Sequence, residues 1–344
     1  MGLQFKELVV KEELVVKDLK DKILAVDSLN LLYQFLTTIR GVDGSVLTDS
    51  KGRVTSHLIG LFNRTTSLME EGLKLVFVFD GKPPEIKQKT WEKRKAVKKE
   101  ATLRLKEAEE AGDLEEMRRQ ASRTAVLNKD MIEDAKRIIT TLGLPIVQAP
   151  SEGEAQTAYM VTTGDAFASV SQDYDNLIFG CPRLIRNLSI AGKRKKTGKL
   201  GFVTVKPELI LLDDVLENLK ITREQLIVLA ILVGTDYNPG GVKGIGPKKG
   251  LKLVQAHKDD FDALFKEVKW DEEYDIPWKK IYDTIKDIPV TDDYSLEWKK
   301  IDEEKLFTLL VKEHDFSEER VRSKLEKLQE VQKKGTQKGL GSFF

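Results

Sequence analysis

The sequence predicts an α/β fold in which a central, mostly parallel sheet is flanked by helices on both faces. Short apolar runs alternate with helical patterns of about a dozen residues, which is typical of parallel strands joined by crossover helices. The 344 residues are 40% hydrophobic and 33% charged, as expected for a globular protein with a sizeable core. We expect one domain over residues 1–330 and a flexible tail over residues 331–344.

The first half of the chain supplies most of the predicted strands. Apolar runs predict strands, and apolar residues at helical spacing predict helices that end near glycines. The predicted elements are a strand at 22–26, helices at 28–40 and 55–71, a strand at 74–79, a helix at 128–142, and strands at 145–147 and 166–170.

The second half is mainly helical. Two further strands are predicted at 183–190 and 202–205, joined by a basic turn at 192–199. Helices are predicted at 208–219, at 222–233, from residue 251 and at 317–331. The segment 333–344 lacks a core pattern, and we expect it to be disordered when free.

Residues 81–128 interrupt the core pattern with charge. Seven Lys or Arg residues lie between Lys87 and Lys99 against one acid, Glu92. Apolar residues are too sparse to bury a helix face, and Gly112 predicts a break, so we expect exposed or mobile helices that leave the core. A solvated helix pair without a role is an alternative interpretation of this composition.

Composition excludes several classes of protein. Cys181 is the single cysteine and the three histidines are far apart, which leaves no disulfide and no Cys/His zinc spacing. No apolar run is long enough for a membrane span, and the start of the chain has no signal-peptide core, so a cytoplasmic location is expected. Lys and Arg (57) balance Asp and Glu (56), so the distribution of charge must indicate any polyanionic partner.

Seven acidic residues stand at the ends of predicted elements. Each has an ordinary structural explanation as an N-cap, a helix-dipole partner or a turn residue. Because the carboxyl ends of parallel strands share one edge of a sheet, these acids are also expected to meet there. They are Asp27, Asp80, Glu152, Glu154, Asp173, Asp175 and Asp236.

Together these acids predict a divalent-metal site. Mg²⁺ takes only one or two direct protein oxygens, so two ions about 4 Å apart fit seven carboxylates better than one ion. Such a pair serves the hydrolysis of a phosphodiester. The remaining negative charge would repel a polyanionic substrate, so cationic groups are needed, and Lys87 and Arg94 follow Asp80 closely enough to supply them.

Two further motifs point to DNA and to a protein partner. In the segment GVKGIGPKKG, Gly244 and Gly246 allow backbone N–H groups to approach a phosphate, and Lys248 and Lys249 add charge; a plain glycine-rich turn is the alternative. The chain ends in Q-x-x-L-x-x-F-F, which predicts a hydrophobic plug for a partner's groove. Its residues are Gln337, Leu340, Phe343 and Phe344.

The chain closely resembles the flap endonucleases, structure-specific 5′ nucleases of the XPG type, in their compact archaeal form. The matching segments span nearly the whole chain in the family order. They are AVDSLNLLYQFL, TSHLIGLF, VFVFDGKPP, QAPSEGEAQTAYM, SQDYDNLIFG, GTDYNPGGVKGIGPKK and QKGLGSFF.

The resemblance implies roles for the singled-out residues. The seven acids would hold two Mg²⁺ ions, for which Mn²⁺ can substitute, while Lys87 and Arg94 steer the scissile phosphate. Tyr33 would stack on a base, with core packing as the alternative, and Arg40 would also contact DNA. Residues 81–128 would form a helical arch, and residues 222–257 a helix–two-turn–helix that grips duplex DNA and binds K⁺ in relatives.

The resemblance also implies partners and a reaction. The tail would dock on the PCNA sliding clamp. The protein would act as a monomer on branched DNA with a 5′ flap, and no association with a membrane is expected. The expected activity is 5′ flap endonuclease and 5′–3′ exonuclease action in Okazaki-fragment maturation and long-patch base excision repair. The alternatives are a phosphatase with an Asp173-x-Asp175 nucleophile motif, and a non-catalytic clamp-bound DNA-junction protein.

Overall fold

The structure is a computed structural model that describes residues 3, 5–41, 45–195 and 202–340. The strands within these residues are β1 (Glu12–Glu13), β2 (Ile23–Asp27), β3 (Lys74–Phe79), β4 (Ile146–Gln148), β5 (Ala168–Val170), β6 (Arg183–Arg186), β7 (Gly192–Lys195), β8 (Phe202–Val205) and β9 (Glu208–Leu211). Seven of them form a central sheet in the order β1-β9-β6-β5-β2-β3-β4.

The sheet is mostly parallel, as the sequence predicts. Parallel ladders join β4 to β3, β3 to β2, β2 to β5 and β5 to β6. Only β9 breaks the pattern, because it pairs antiparallel with both β6 and β1 at one edge. The carboxyl ends of β2, β3 and β5 therefore lie side by side at one edge of the sheet.

Helices make up most of the remaining chain. They are α1 (Ser28–Thr38), α2 (Ser56–Glu70), α3 (Gln88–Ala111), α4 (Leu114–Arg123), α5 (Lys129–Thr141), α6 (Gly153–Thr162), α7 (Asp175–Ile178), α8 (Leu212–Leu219), α9 (Arg223–Val233), α10 (Pro247–His257), α11 (Phe261–Glu267), α12 (Trp270–Glu273), α13 (Trp278–Lys286), α14 (Glu303–Phe307) and α15 (Glu318–Leu340). Short 3₁₀ turns cover Val16–Leu19, Glu85–Lys87 and Leu188–Ile190, and a π-helical segment covers Thr308–Glu313.

Both faces of the sheet are covered because neighbouring residues of each strand point to opposite sides. Leu24 and Val26 of β2 pack into a core formed with α1, α2 and α5. Ala25, between them, faces a smaller core formed with α6. Helices on both faces confirm the predicted layer arrangement.

A third core holds the helical second half of the chain. Trp270 is fully buried, and its Nε1 donates to the carbonyl of Ile276 at 2.7 Å. Phe265 stacks on Trp278 with ring centroids 4.5 Å apart. Helix α9 is apolar on nearly every side and is buried in this core. The helical second half of the chain therefore packs as an extension of the sheet domain.

Residues 288–302 form no helix or strand but cross the sheet domain as a strap. Gln156 of α6 makes reciprocal hydrogen bonds with the backbone of Thr291, at 2.7 Å to its carbonyl and 2.8 Å from its N–H. Further along, the Nε1 of Trp298 donates to the carbonyl of Leu75 at 3.2 Å. The strap thus ties the C-terminal segment to α6 and to β3.

The prediction of one helix over residues 208–219 was wrong in its first turn. Glu208–Leu211 is the strand β9, and the helix begins at Leu212. The segment pairs with β6 on one side and β1 on the other, and this long-range pairing outweighs the helical spacing of its leucines. The two-residue strand β1 was not predicted.

Other predictions also differ from the structure. The helix predicted from residue 251 is α10, which already begins at Pro247. The strand expected over 183–190 ends at Arg186, and Leu188–Ile190 is a 3₁₀ turn after Asn187, whose φ is +61°. The strand at 202–205 pairs with Gly192–Lys195 in a separate two-stranded hairpin and does not join the central sheet. The last helix, expected to end at residue 331, continues to Leu340.

The charged insertion after β3 forms two helices, α3 and α4, that pack against each other. Gly112, with φ +67°, ends the first of them, and Asp113 caps the second through the N–H groups of Glu115 and Glu116. In the described part of the chain, no helix is long and apolar enough to cross a membrane.

Candidate active site

The ends of three parallel strands deliver acids to one edge of the sheet. Asp27 is the last residue of β2, and its partner in the β3 ladder is Val78, two residues before Asp80. Asp173 and Asp175 follow β5, which pairs with β2 on the other side. The parallel register therefore places these acids at neighbouring positions, as the sequence predicts.

The start of α6 brings the two glutamates to the same edge. Glu152 is the N-cap residue and Glu154 lies in the first turn, so one glutamate precedes the helix as expected. The N–H of Gly153 donates to Oδ1 of Asp80 at 2.9 Å. A Cβ at Gly153 would lie 2.5 Å from that oxygen, so the glycine lets the helix start come close to the end of β3.

A second close approach locks this loop in place. The N–H of Gly81 donates to the carbonyl of Ser151 at 2.6 Å. A Cβ at Gly81 would meet the carbonyl oxygen of Ala149 at 2.2 Å, which no side-chain rotation could relieve because the obstacle is backbone. The acids after β3 and before α6 are thus held together by main-chain contacts.

Burial raises the pKa of the acids at the strand ends. Asp27 is 4% exposed, and its pKa rises to about 8, first through desolvation and then through repulsion from Asp80 and Asp173. The pKa of Asp80 rises to about 6 through desolvation and repulsion from Glu152. These carboxyl groups are so close together and so poorly solvated that they cannot all be ionised at low energetic cost.

The pKa values of Asp175 and Glu154 are raised for the same reasons. Desolvation raises the pKa of Asp175 to about 7, with added repulsion from Asp173 and Asp236. The pKa of Glu154 is also raised, by desolvation and then by repulsion from Asp175 and Asp27. The seven predicted acids therefore form one electrostatically coupled group, assembled from five segments of the chain.

Lys87 is the cation that reaches into this group. Its Nζ lies 2.5 Å from Oε2 of Glu152 and 3.5 Å from Oδ2 of Asp236. Burial alone would lower the pKa of Lys87, but the carboxylates of Glu152 and Asp236 raise it, so the ammonium stays charged. Thr90 adds a hydrogen bond to the carbonyl of Asp236, which anchors the start of α3 beside the acids.

Tyr237 lies under the same ammonium. The Nζ of Lys87 is 5.2 Å from the centre of the Tyr237 ring. The ring is 5% exposed, and its hydroxyl is buried without a hydrogen-bond partner among the described residues. Desolvation raises the pKa of Tyr237, and the carboxylates of Glu152 and Glu154 raise it further. Sequence reasoning missed this residue, although it directly follows Asp236.

The other predicted DNA-contacting residues lie outside the acidic group. Tyr33 of α1 is 39% exposed, and the Nζ of Lys98 lies 5.9 Å from its ring centre, so it is no core residue. Arg40 lies beyond the end of α1 in a β-bridge with Val46 and is partly buried. Arg94 is on α3, and its side chain lies outside the described residues.

The glycine-rich segment forms the connection between α9 and α10. Gly244 has φ +77°, and Gly246 is the N-cap of α10, with Pro247 at its first position. A Cβ at either glycine would meet no protein atom within 4 Å, so the backbone faces open space. Lys248 and Lys249 follow in the first turn of α10, where both side chains are exposed. The Nζ of Lys248 lies 3.1 Å from Oε2 of Glu7, an exposed ion pair that a phosphate could replace.

Two of the tail residues lie on the last helix. Gln337 and Leu340 belong to α15, and their side chains lie outside the described part of the chain. Phe343 and Phe344 are outside it altogether.

Backbone and amide donors that sequence reasoning missed also hold the acids. The N–H of Leu3 donates to Oδ1 of Asp175 at 2.8 Å. Ser171 donates from its hydroxyl to Oδ2 of Asp27 at 3.1 Å. Nδ2 of Asn30 donates to Oδ2 of Asp173 at 2.8 Å. No sequence spacing signals such contacts, since Leu3 and Asp175 are 172 positions apart.

The donor set fits divalent cations in type and charge. All seven groups are carboxylates, the ligands preferred by Mg²⁺ and Mn²⁺. Oε1 of Glu152 is buried without a hydrogen-bond partner among the described residues, which leaves it available to a cation. No three acidic or histidine side chains of the described chain already surround one common position. The nearby ammonium of Lys87 instead balances part of the charge.

Comparison with known proteins supports a nuclease. Residues 3–101 match the XPG N-terminal domain, and residues 143–236 match the XPG I-region. These two regions together contain all seven acids, and Asp236 is the last residue of the second match. The fold and the acidic site define an XPG-type nuclease.

Relatives that match over the full length identify the family within this class of nucleases. The chain is 54% identical to flap endonuclease 1 of Pyrococcus abyssi and of Pyrococcus horikoshii, over all of this chain and 98% of each relative. The structure of flap endonuclease-1 from Methanococcus jannaschii superposes with a TM-score of 0.75 at 42% identity, over 96% of this chain and 98% of that one. The chain belongs to the flap endonuclease 1 family.

Proposed function

We propose that this chain hydrolyses DNA phosphodiesters as a structure-specific 5′ flap endonuclease with 5′–3′ exonuclease activity. The observation that carries the proposal is the group of seven carboxylates at the sheet edge, with pKa values raised to about 8 at Asp27 and about 7 at Asp175. Buried acids that repel one another in this way are characteristic of a functional site.

The seven acids are proposed to hold two Mg²⁺ or Mn²⁺ ions. Cations would relieve the repulsion that raises these pKa values and would use the unpartnered oxygen of Glu152. When bound, such ions activate a water and stabilise the charge that develops at the phosphate. Asn30, Ser171 and the N–H of Leu3 keep individual carboxylates oriented toward this space.

The residues at the start of the arch, α3 and α4, are proposed to handle the scissile phosphate. Lys87 already lies among the acids, so an arriving phosphate would find a positive charge next to the site. Arg94, about two turns further along α3, is proposed to share this role. The exposed ring of Tyr33 is proposed to stack on the base beside the phosphate, and Arg40 to contact the DNA backbone.

The connection between α9 and α10 is proposed to grip the duplex. Gly244 and Gly246 present open backbone, and Lys248 and Lys249 supply charge at a helix N-terminus, which favours phosphate binding without sequence readout. A K⁺ ion at this helix–two-turn–helix is part of the proposal.

The C-terminal segment is proposed to dock on the PCNA sliding clamp through Gln337, Leu340, Phe343 and Phe344. Docking would bring a monomeric, cytoplasmic, nucleoid-associated enzyme to flaps made during Okazaki-fragment maturation and long-patch base excision repair. The clamp would raise the local concentration of the enzyme at the junction without changing the site.

Asp173→Asn tests the proposal. We expect the variant to bind a labelled 5′-flap DNA like the wild type but to cleave it on the order of 10²–10³-fold more slowly in Mg²⁺, because one carboxylate of the site is neutralised. Asp214→Asn, on the exposed side of α8, is the matched control and should cleave normally. Full cleavage by Asp173→Asn would overturn the proposal.

The same assay separates the alternatives. A phosphatase using Asp173 as its nucleophile would release phosphate from monoesters and leave DNA intact. A non-catalytic junction protein would bind flap DNA with no metal-dependent product. Neither alternative uses all seven coupled acids, which is why the nuclease is the better-supported function.

A further inference from the structure

Helix α6 carries two of the seven acids, but its apolar packing does little to fix its position. Of the residues buried along the helix, Gln156 bonds to the backbone of Thr291, and Thr157 bonds to other side chains. The remaining ones have small or apolar side chains without directional contacts: Gly153, Ala155, Ala158, Met160 and Val161. Contacts of this kind tolerate rotation or sliding by a fraction of a turn. Directional hydrogen bonds fix the position of such a helix much more strictly.

Three buried polar side chains next to the acids hydrogen-bond to one another, while Oδ1 of Asn176 has no partner among the described residues. Thr157, Ser169 and Asn176 are each fully buried. The hydroxyl of Ser169 donates to Oγ1 of Thr157 at 2.9 Å, and Nδ2 of Asn176 donates to the same Oγ1 at 2.8 Å and to Oγ of Ser169 at 2.9 Å. Thr157 in turn donates to the carbonyl of Glu154 at 2.9 Å.

This network joins the three segments α6, β5 and α7, on or next to which four of the acids lie. Asn176 directly follows Asp175, and its Nδ2 also lies 3.1 Å from the carbonyl of Glu154. Ser169 lies on β5, four residues before Asp173. Hydrogen bonds therefore connect the backbone of one acid to the neighbours of two others, across α6, β5 and α7.

We propose that Thr157, Ser169 and Asn176 are positioning residues that hold Glu154 at a set distance from Asp173 and Asp175, so that the acids can share divalent cations. This inference rests on the proposed nuclease function. The acids repel one another, and repulsion would drive α6 away from α7 unless something held them together. The network supplies that restraint within one turn of Glu154 on α6.

The test uses three threonine variants of the full chain. Thr157→Val keeps the shape of the side chain but removes every hydrogen bond of its hydroxyl, whereas Thr157→Ser keeps the hydroxyl. Thr162→Val makes the same change at an exposed position of the same helix, where the hydroxyl bonds only to the carbonyl of Ala158.

The first measurement needs no DNA. The thermal unfolding midpoint is followed as MnCl₂ is added, because an ion that binds the folded state raises it. Thr157→Val should require about tenfold more Mn²⁺ for half of the full rise, and Thr157→Ser and Thr162→Val should stay within about twofold of the wild type. A folded Thr157→Val that responds to Mn²⁺ like the wild type overturns the inference.

The second measurement is single-turnover cleavage of flap DNA. Thr157→Val should lower the rate at saturating DNA about 10- to 100-fold and leave the DNA concentration for half-saturation unchanged, since the network touches no substrate. A purely structural role would not be rescued selectively by Thr157→Ser, so equal defects in both Thr157 variants also overturn the inference.

A second variant covers the case in which Thr157→Val does not fold. Ser169→Ala removes one member of the network with a smaller change in volume and should shift the Mn²⁺ midpoint and the cleavage rate in the same directions; no shift in either overturns the inference. If the wild type does not cleave flap DNA, the proposed function fails by itself, and the Mn²⁺ comparison still decides the role of the network.

Discussion

The side-chain amide of Asn30 donates from Nδ2 to Oδ2 of Asp173 at 2.8 Å, while its Oδ1 accepts from the backbone N–H of Gln172 at 3.3 Å. Its own backbone N–H donates to Oδ1 of Asp27 at 3.1 Å. One residue of α1 therefore contacts acids at the ends of two different strands, and we predict that Asn30 is a positioning residue of the site.

Asn30→Ala should weaken cleavage with little loss of fold. Without the amide, Asp173 can turn away from the other acids, and we expect the single-turnover rate to fall about 10- to 100-fold. The free energy of unfolding should fall by only about 2 kcal/mol, since the two hydrogen bonds of the Asn30 side chain, to Asp173 and to the N–H of Gln172, are lost. Asn218→Ala, on an exposed face of α8, is the control for the loss of an asparagine. Unchanged cleavage by Asn30→Ala would refute the positioning role.

Lys87→Met should separate binding from catalysis. Methionine keeps the apolar stem over Tyr237 but removes the charge that pairs with Glu152 and Asp236. We expect the rate at saturating flap DNA to fall on the order of 10²-fold, because a cation beside the phosphate is lost. Lys279→Met, exposed on α13, provides the matched loss of a lysine. Equal rates in the two variants would contradict a catalytic role for Lys87.

Asp27→Asn should stabilise the metal-free protein while it abolishes most activity. The folded pKa of Asp27, about 8, is above its unfolded value of 3.8, so its contribution to stability is full below pH 3.8 and is lost as the pH rises toward 8. Asparagine removes this penalty and still caps α1.

The prediction for Asp27→Asn is checked by thermal unfolding in a chelator at several pH values. The unfolding midpoint of the variant should exceed that of the wild type by a margin that grows between pH 4 and pH 8, the interval defined by the two pKa values. Added Mn²⁺ should reverse the order by stabilising the wild type more. A lower midpoint in the metal-free variant at pH 8 would be evidence against the repulsion.

His57 should make the protein less stable in mild acid. Burial lowers its pKa to about 4, compared with 6.5 when unfolded, while its Nε2 lies 3.2 Å from the carbonyl of Met131. As the pH falls, the unfolded chain therefore binds a proton at His57 before the folded chain does. The contribution of His57 to the free energy of unfolding falls by about 3 kcal/mol between pH 6.5 and pH 4. His57→Gln, which cannot titrate, should show a smaller fall over this interval in urea unfolding. Parallel curves for the two proteins would exclude His57 as the source.

Local sequence was enough to predict most elements and the acidic group. Asp27, Asp80 and Asp173 each follow an apolar strand, and parallel strands in register must bring their carboxyl ends together, so the meeting of these acids followed from pattern alone. The glycine-rich turn before α10 was recognisable for a similar reason, since a positive φ at Gly244 is a local requirement.

Local sequence did not predict which distant segments pair as strands. Glu208–Leu211 is a strand because β6 and β1 lie on either side of it, and neither neighbour can be identified from its own apolar spacing. The same limit applies to the hairpin of β7 and β8. Residues 192–195 were predicted in a basic turn and residues 202–205 as a further strand of the sheet, but the two segments pair only with each other.

The sequence by itself determined which groups carry the chemistry, because carboxylates at strand ends are a local pattern with a fixed geometric consequence. The tertiary structure decided how those groups are held. Asn30, the N–H of Leu3 and the network of Thr157, Ser169 and Asn176 act on acids from other segments. A hydrogen bond depends on distance and direction in space, and residues far apart in the chain acquire these only when the sheet and helices have packed.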